Sequence, residues 1–398
     1  MKFSELNPHW SDDRTFLETR KFIGAVMQHI TFNEWLPIIL GHRVLEIFEL
    51  RLLPRGYYQG YNDTLNPTIA NVFGSAAFRF GHSLVKSSIG RCNKEFRKVP
   101  FHVELHKEMN NPSNLHNFGS VDRILLGLVS QKLGRRDEFV TEELTNHLFQ
   151  NPRSHYGLDL VALNLQRGRD HGLAPYNIWR EQCGLKRFQD WPDLEEAMEA
   201  GTAERLSRVY EDVDDIDLFT GGLAERPVVG GIIGPTFACI IGQQFLNLRQ
   251  GDRFWYEGGG HPGAFSPAQL QEIRKTSMAR VVCDCMDDVE QLQPFAFLQP
   301  DQVGNQRSTC SGDRIPRVSA SRSCRNRLVQ VDLEAWREAP VGPQLHSSHE
   351  LLLRGGINLT LPVGDVSPPN VKMLRRISWT PKKARDPASS WRKRRLPE

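Results

Sequence analysis

A mainly α fold is predicted by two features of the sequence. Apolar residues recur at three- and four-residue spacing in segment after segment, and sustained alternation of apolar and polar residues, the mark of strands, is scarce. The 398 residues suffice for one large domain or two average ones, with 39% apolar and 24% charged residues as expected of a soluble globular chain.

The elements follow in order. A helix is expected from Ser11-Asp12-Asp13, residues that suit an N-cap and an acidic first turn, with Phe16, Ile23, Val26 and Ile30 as its stripe. Trp35-Leu36-Pro37 is expected to close that region. A loop rich in Gly and Tyr then runs from Gly56 to Asn66. Pro67 suits the first turn of a second helix, striped by Ile69, Phe73, Ala76 and Phe80. Further helices are expected over 141–150 and 159–169, and helical patterns continue over 193–211, 236–250 and 267–278. The long uncharged run Pro227 to Leu248 is broken by five Gly or Pro residues and contains Gln243, Gln244 and Asn247. It reads as a buried loop and helix, not a membrane span.

The charge is uneven. The net value is +3, but residues 341–398 hold eleven Lys/Arg against four Asp/Glu, which leaves 1–340 slightly acidic. The body therefore has no bias toward nucleic acid. With few periodic apolar positions, 341–398 reads as a poorly ordered basic tail following a domain over 1–340. The tail is a solvated segment on one reading and an RNA-binding segment on another. The seven Cys (Cys92, Cys183, Cys239, Cys283, Cys285, Cys310, Cys324) are too few for a disulfide miniprotein and fit a few bridges or buried thiols. The N-terminus lacks the apolar core of a signal peptide. That implies a cytoplasmic protein if Met1 is the true start, or a start that is not the true one.

Several motifs carry possible chemistry. In Asn71 to His82, a His ends an apolar segment, with Gly81 beside it and Arg79 three residues back. Neutral imidazole ligates iron or zinc, small neighbours admit a flat cofactor, and Arg79 would meet an anionic group on it. A core histidine explains the same spacing. In Leu158 to His171, Asn164 lies between Leu163 and Leu165 and needs a buried partner. Its side-chain oxygen would suit the second N–H of a ligating His, or a backbone group. Asp170 and His171 are adjacent and should not face one another. His102 and His106 stand four apart, a spacing that zinc could bridge, though not in the metalloprotease order. Sequons occur at Asn62-Asp63-Thr64 and Asn358-Leu359-Thr360.

Together these stretches resemble the animal haem peroxidase family, in the manner of its chorion-peroxidase and peroxidasin-like members. The likeness runs through Leu6 to Trp10, Thr31 to Gly41, Asn71 to His82, Leu158 to Asn177, Asp212 to Gly222, Gly234 to Glu257 and Val281 to Asp284, and covers about 5–340. It implies a helical domain that binds haem b. His82 would be the axial iron ligand, Asn164 its hydrogen-bond partner, and Arg79 and Arg167 the arginines near the propionates. It implies disulfides Cys183–Cys239 and Cys283–Cys310, secretion, and glycosylation at Asn62 and Asn358. The implied reaction is oxidation of phenolic or halide donors by hydrogen peroxide, in response to oxidative stress among other settings.

The family's distal half, with its distal His, catalytic Arg and calcium loop, has no counterpart here. His9 and His29 do not match the distal motif. The expectation is therefore a proximal part that binds haem loosely and turns over peroxide poorly. Two other readings are a non-catalytic secreted binding or adhesion relative, and a peroxidase-related mRNA endonuclease that uses the basic tail.

Overall fold

A computed structural model of the chain describes residues 2–100, 103–287, 289–301, 303–315 and 333–337. The described residues lie in a first compact unit, Met1–Pro340. The second unit, Val341–Glu398, is outside them, as are His102, Cys324 and Asn358. The described part is mainly α. Its strands are two antiparallel pairs, Ser88–Ile89 with Val103–Glu104 and Gln291–Leu292 with Ser308–Thr309.

The first long helix, Asp12–Ile30, starts where expected: Ser11 Oγ accepts from Arg14 N at 3.3 Å, and Asp12 and Asp13 sit at the positive end of the helix dipole. Its buried face is Phe22, Ala25, Val26, His29 and Ile30. Of the expected stripe, Val26 and Ile30 are buried but Phe16 and Ile23 are 64% and 42% exposed, because the face turned inward runs through 22, 25–26 and 29–30. Trp35 to Pro37 does not end the region. A π-helical turn, Thr31–Trp35, runs into the helix Leu36–Ile47, with Pro37 just after the turn. That helix kinks at Gly41 (φ 72°), where a Cβ would stand 2.6 Å from Val229 O.

Other elements are shorter than the periodicity predicts. Pro67 stays in the loop and Ile69 is exposed. The helix is only Asn71–Ser75, and after Ala76 the chain tightens into a 3₁₀ segment, Ala77–Leu84. The 141–150 helix ends after Glu142–Thr145, because Leu148 extends to pair with Leu158. The 193–211 helix is two pieces, Trp191–Leu194 and Thr202–Ser207, with left-handed Gly201 (φ 76°) capping the second. The 236–250 pattern is the helix Pro235–Gly251, whose Phe237, Ile240, Ile241 and Phe245 enter the main core. The 267–278 pattern splits into Pro267–Ile273 and Met278–Cys285.

Two disulfides, Cys183–Cys239 and Cys283–Cys310, cross-link this frame, while Cys92 and Cys285 are free. Two fully buried carboxylates also hold it together. Glu225 accepts from Tyr176 OH (2.7 Å), Arg180 Nη1, and Thr236 N and Oγ1 (2.8 and 2.6 Å). Glu257 accepts from Leu53 N (2.9 Å), Arg249 Nη2 (2.8 Å), Trp255 Nε1 (3.2 Å) and Arg274 Nη2 (3.2 Å). Arg249 Nη1 also donates to Glu49 O and Arg51 O, so the loop after the kinked helix is clamped.

Two further buried titratable groups pull stability in opposite directions with pH. Glu34 accepts Met278 N at 3.0 Å through Oε1, while its buried Oε2 has no hydrogen-bond partner among the described residues. Burial lifts its pKa from 4.5 to about 7. The folded state thus holds this proton more tightly than the unfolded chain, so Glu34's contribution is full below pH 4.5 and is lost as pH rises through 7. His29, bonded at Nδ1 to Tyr256 OH (2.9 Å), is held by burial at about 4 against an ordinary 6.5. Its contribution is full above 6.5 and is lost as pH falls through 4. Glu34→Gln, which mimics the protonated acid, should therefore raise Tm over the parent by several degrees at pH 8 and by nothing at pH 4. Scanning calorimetry across that range checks this, and equal Tm differences at both pH values would refute it.

Candidate functional site

The site is built where the 3₁₀ segment Ala77–Leu84 meets the helix Leu160–Asp170. Three residues per turn stack Arg79 and His82 on one edge of the segment, while Phe80 and Ser83 point into the core. Asp159 caps the partner helix, its Oδ1 accepting from Val161 N (2.8 Å) and Ala162 N (3.1 Å). One turn on, that helix buries Asn164 completely. Arg169 fastens the far end of the helix to Asp217 with two hydrogen bonds, 3.0 and 2.6 Å.

Asn164 joins the two expected residues. Its Nδ2 donates to His82 Nδ1 at 2.8 Å, and its Oδ1 accepts from Arg79 Nη1 at 2.5 Å. Both ends of a buried amide are satisfied, which answers the question its sequence position raised. The orientation differs from the expectation, which put the amide oxygen toward the imidazole. The reason is Arg79: a guanidinium only donates, so it takes the oxygen and leaves the nitrogen for His82. In this arrangement His82 Nδ1 accepts and the neutral ring carries its proton on Nε2.

The electrostatics favour a neutral imidazole. Burial, and then the charge of Arg79, lower the pKa of His82. Burial, and then the nearby Arg167, lower that of Arg79. Arg167 is exposed, and neither guanidinium is in an ion pair among the described residues. Phe219 stands beside the His82 ring at 6.4 Å between centroids. No atom outside its chain neighbours lies within 4 Å of a Cβ built on Gly81. A cavity of about 250 Å³ adjoins Asn164, lined also by Ser75, Ala76, Leu173 and Phe219.

The remaining sequence-predicted residues are placed as follows. Asp170 and His171 do not meet: Asp170 accepts from Gln166 (2.7 Å), while His171 Nδ1 faces Asn71 Oδ1 (2.7 Å) and Ser75 Oγ (2.8 Å). Asn62 is exposed, and its Oδ1 accepts from Thr64 N and Oγ1 at 3.0 and 2.7 Å. No helix among the described residues is long and apolar enough to cross a membrane. The sequence reading missed Glu34, Glu225 and Glu257. Each has at least one partner from a distant segment: Met278 for Glu34, Tyr176 for Glu225 and Leu53 for Glu257.

The profile of the family described as animal haem peroxidase matches residues 1–297. The chain is 42% identical over 337 residues to chorion peroxidase of Drosophila melanogaster, covering 84% of this chain and 39% of that protein. It is 41% identical over 307 residues to Drosophila melanogaster peroxidasin, covering 76% and 19%. It is 41% identical over 342 residues to thyroid peroxidase of Sus scrofa, covering 85% and 34%. Among solved structures, peroxidase A from Dictyostelium discoideum superposes with a TM-score of 0.64 at 34% identity, over 74% of this chain and 53% of that one. A fatty acid alpha-dioxygenase of Oryza sativa, at 18% identity and a TM-score of 0.57, shares the fold. The chain spans between about a fifth and two fifths of the length of these curated relatives.

Proposed function

Because the chain belongs to the animal haem peroxidase family, we propose that it provides the proximal side of a haem b-dependent peroxidase. Such an enzyme uses hydrogen peroxide to oxidise small phenolic or halide donors. The observation that carries this reading is the array Arg79–Asn164–His82, a neutral imidazole fixed through Nδ1 by the amide of the buried Asn164. We take residues 1–340 as the peroxidase domain and 341–398 as a separate basic tail. The two disulfides and the exposed Asn62 sequon support a secreted glycoprotein.

The residues fit the haem. His82 would hold the iron, and Arg79 and Arg167, two guanidiniums without carboxylate partners among the described residues, would meet the propionates. When bound, the haem supplies the redox chemistry. To ligate through Nε2, the His82 ring must carry its proton on Nδ1, and Asn164 must offer it oxygen rather than nitrogen. A half-turn of the amide does this once Arg79 exchanges that oxygen for an anionic partner. Asn164 is thus a positioning residue, and Arg79 decides which way it points.

Peroxide turnover also needs a base that moves a proton between the peroxide oxygens and a cation that steadies the leaving one. The amide and guanidiniums gathered behind His82 hold and orient; they do not shuttle protons. We therefore expect the chain to bind haem, with the proton transfer of peroxide turnover left to groups other than this array. Titration with haemin, followed at the Soret band, tests the reading. A saturable 1:1 transition is expected, and a folded chain that produces none would favour the binding-protein reading. Asn164→Ala should keep the haem but lower activity about 10- to 100-fold. It should also shift the iron–histidine stretching band in the resonance Raman spectrum. An unmoved band would mean that Asn164 does not orient the ring.

A further inference from the structure

Two histidines outside this site come together from separate segments. His106 lies in the short helix Leu105–Glu108, and His147 follows the helix Glu142–Thr145. Their ring centroids are 5.2 Å apart with the planes 32° from parallel. Each ring is fixed through Nδ1. His106 Nδ1 meets Glu143 Oε2 at 2.7 Å, and the same oxygen accepts the His106 backbone N–H at 2.8 Å. His147 Nδ1 meets Gln150 Oε1 at 2.6 Å, and Gln150 is locked in that orientation because its Nε2 donates to Ser154 O at 2.6 Å.

Both partners are acceptors, so Nδ1 carries the proton in each neutral ring and Nε2 carries a lone pair. This is how metal-ligating histidines are prepared: one nitrogen donates to a carboxylate or amide oxygen and the other is left for the ion. The spacing also agrees. Two imidazole nitrogens on a tetrahedral ion at ~2.05 Å place the ring centroids ~5.2 Å apart. Glu143 is buried beside the pair, and exposed Glu104 adds negative charge next to it, offset by Lys107 at 2.6 Å from Glu104.

We propose that His106 and His147 form a two-histidine site for a late first-row divalent cation, zinc or copper, bound through both Nε2 atoms. No group of three His, Cys, Asp or Glu side chains suited to a metal occurs among the described residues. Water therefore completes the coordination. The sequence marked His106 for zinc but paired it with His102, which lies outside the described residues. The long-range partner is His147. Because Leu148 pairs with Leu158 at the start of the Asn164 helix, an ion here would also brace the approach to the haem-side helix.

Calorimetric titration of the full, chelator-washed, untagged chain with zinc chloride tests this. One equivalent should bind. His106→Ala and His147→Ala should each weaken binding at least tenfold, Glu143→Gln should weaken it about 10- to 100-fold, and His116→Ala, at the exposed histidine after the 3₁₀ turn Pro112–Leu115, should change nothing. Where a variant fails to fold, the unaltered chain still decides. Zinc should protect His106 and His147, and no other histidine, from diethyl pyrocarbonate. Absence of zinc binding, binding that survives both alanine changes together, or protection at other histidines would overturn the proposal.

Discussion

Replacing His82 by alanine is expected to abolish the five-coordinate haem spectrum of the haem-loaded protein, and with it any peroxidase activity. Among the described residues, His82 is the imidazole hydrogen-bonded to Asn164, beside Arg79 and Phe219. Without haem, alanine also leaves Asn164 Nδ2 buried without its acceptor, at a cost of about 1–3 kcal/mol, so the haem-free variant should fold but melt earlier. Added imidazole should enter the vacated space and restore the Soret band in part, which separates loss of a ligand from loss of structure. An unchanged band in the variant would show that the iron is held elsewhere.

The largest loss of stability is expected from Glu225→Ala, about 3–5 kcal/mol. The carboxylate is fully buried, and its removal strands the Arg180 guanidinium, itself 7% exposed, together with Tyr176 OH and the N–H and hydroxyl of Thr236. In the parent, burial first and the Glu225 carboxylate second hold Tyr176 well above the usual phenol range. The charge matters more than the shape. Glu225→Gln should recover less than half of the loss, because an amide cannot balance Arg180. Denaturant unfolding of the two variants measures both numbers. A cost below about 1 kcal/mol for alanine would mean that water reaches Arg180 in the native state.

What the sequence made legible was what local rules govern. The cap at Ser11, the helical pattern over 236–250, and the oddity of Asn164 among leucines are all decided within one or two turns of chain. The Arg79–His82 relation was also legible at a spacing of three, which a 3₁₀ segment satisfies better than the α-helix that the apolar stripe suggested. The helix lengths were not legible. A period of 3.6 continues through 141–150, yet the strand-like pairing of Leu148 with Leu158 wins, and such pairings carry no signal in the segment they interrupt. The orientation of the Asn164 amide was hidden for a related reason: it depends on a guanidinium from a part of the chain far from the helix that carries it. His106 shows the same limit, since its nearest ring comes from another loop and not from its own helix.

The clamp around Glu257 bears on how this part of the chain can change over time. Its four donors take three chemical forms: a backbone amide, two guanidiniums and an indole. Arg249 serves two carbonyls besides. An ordinary ion pair can be exchanged end for end, and such swaps leave paired substitutions in lineages. Here no exchange of two residues keeps every donor matched, so drift in steps of one or two is closed off. Glu257, Arg249, Trp255 and Arg274 should persist together or be lost together, along with the path of the loop they hold.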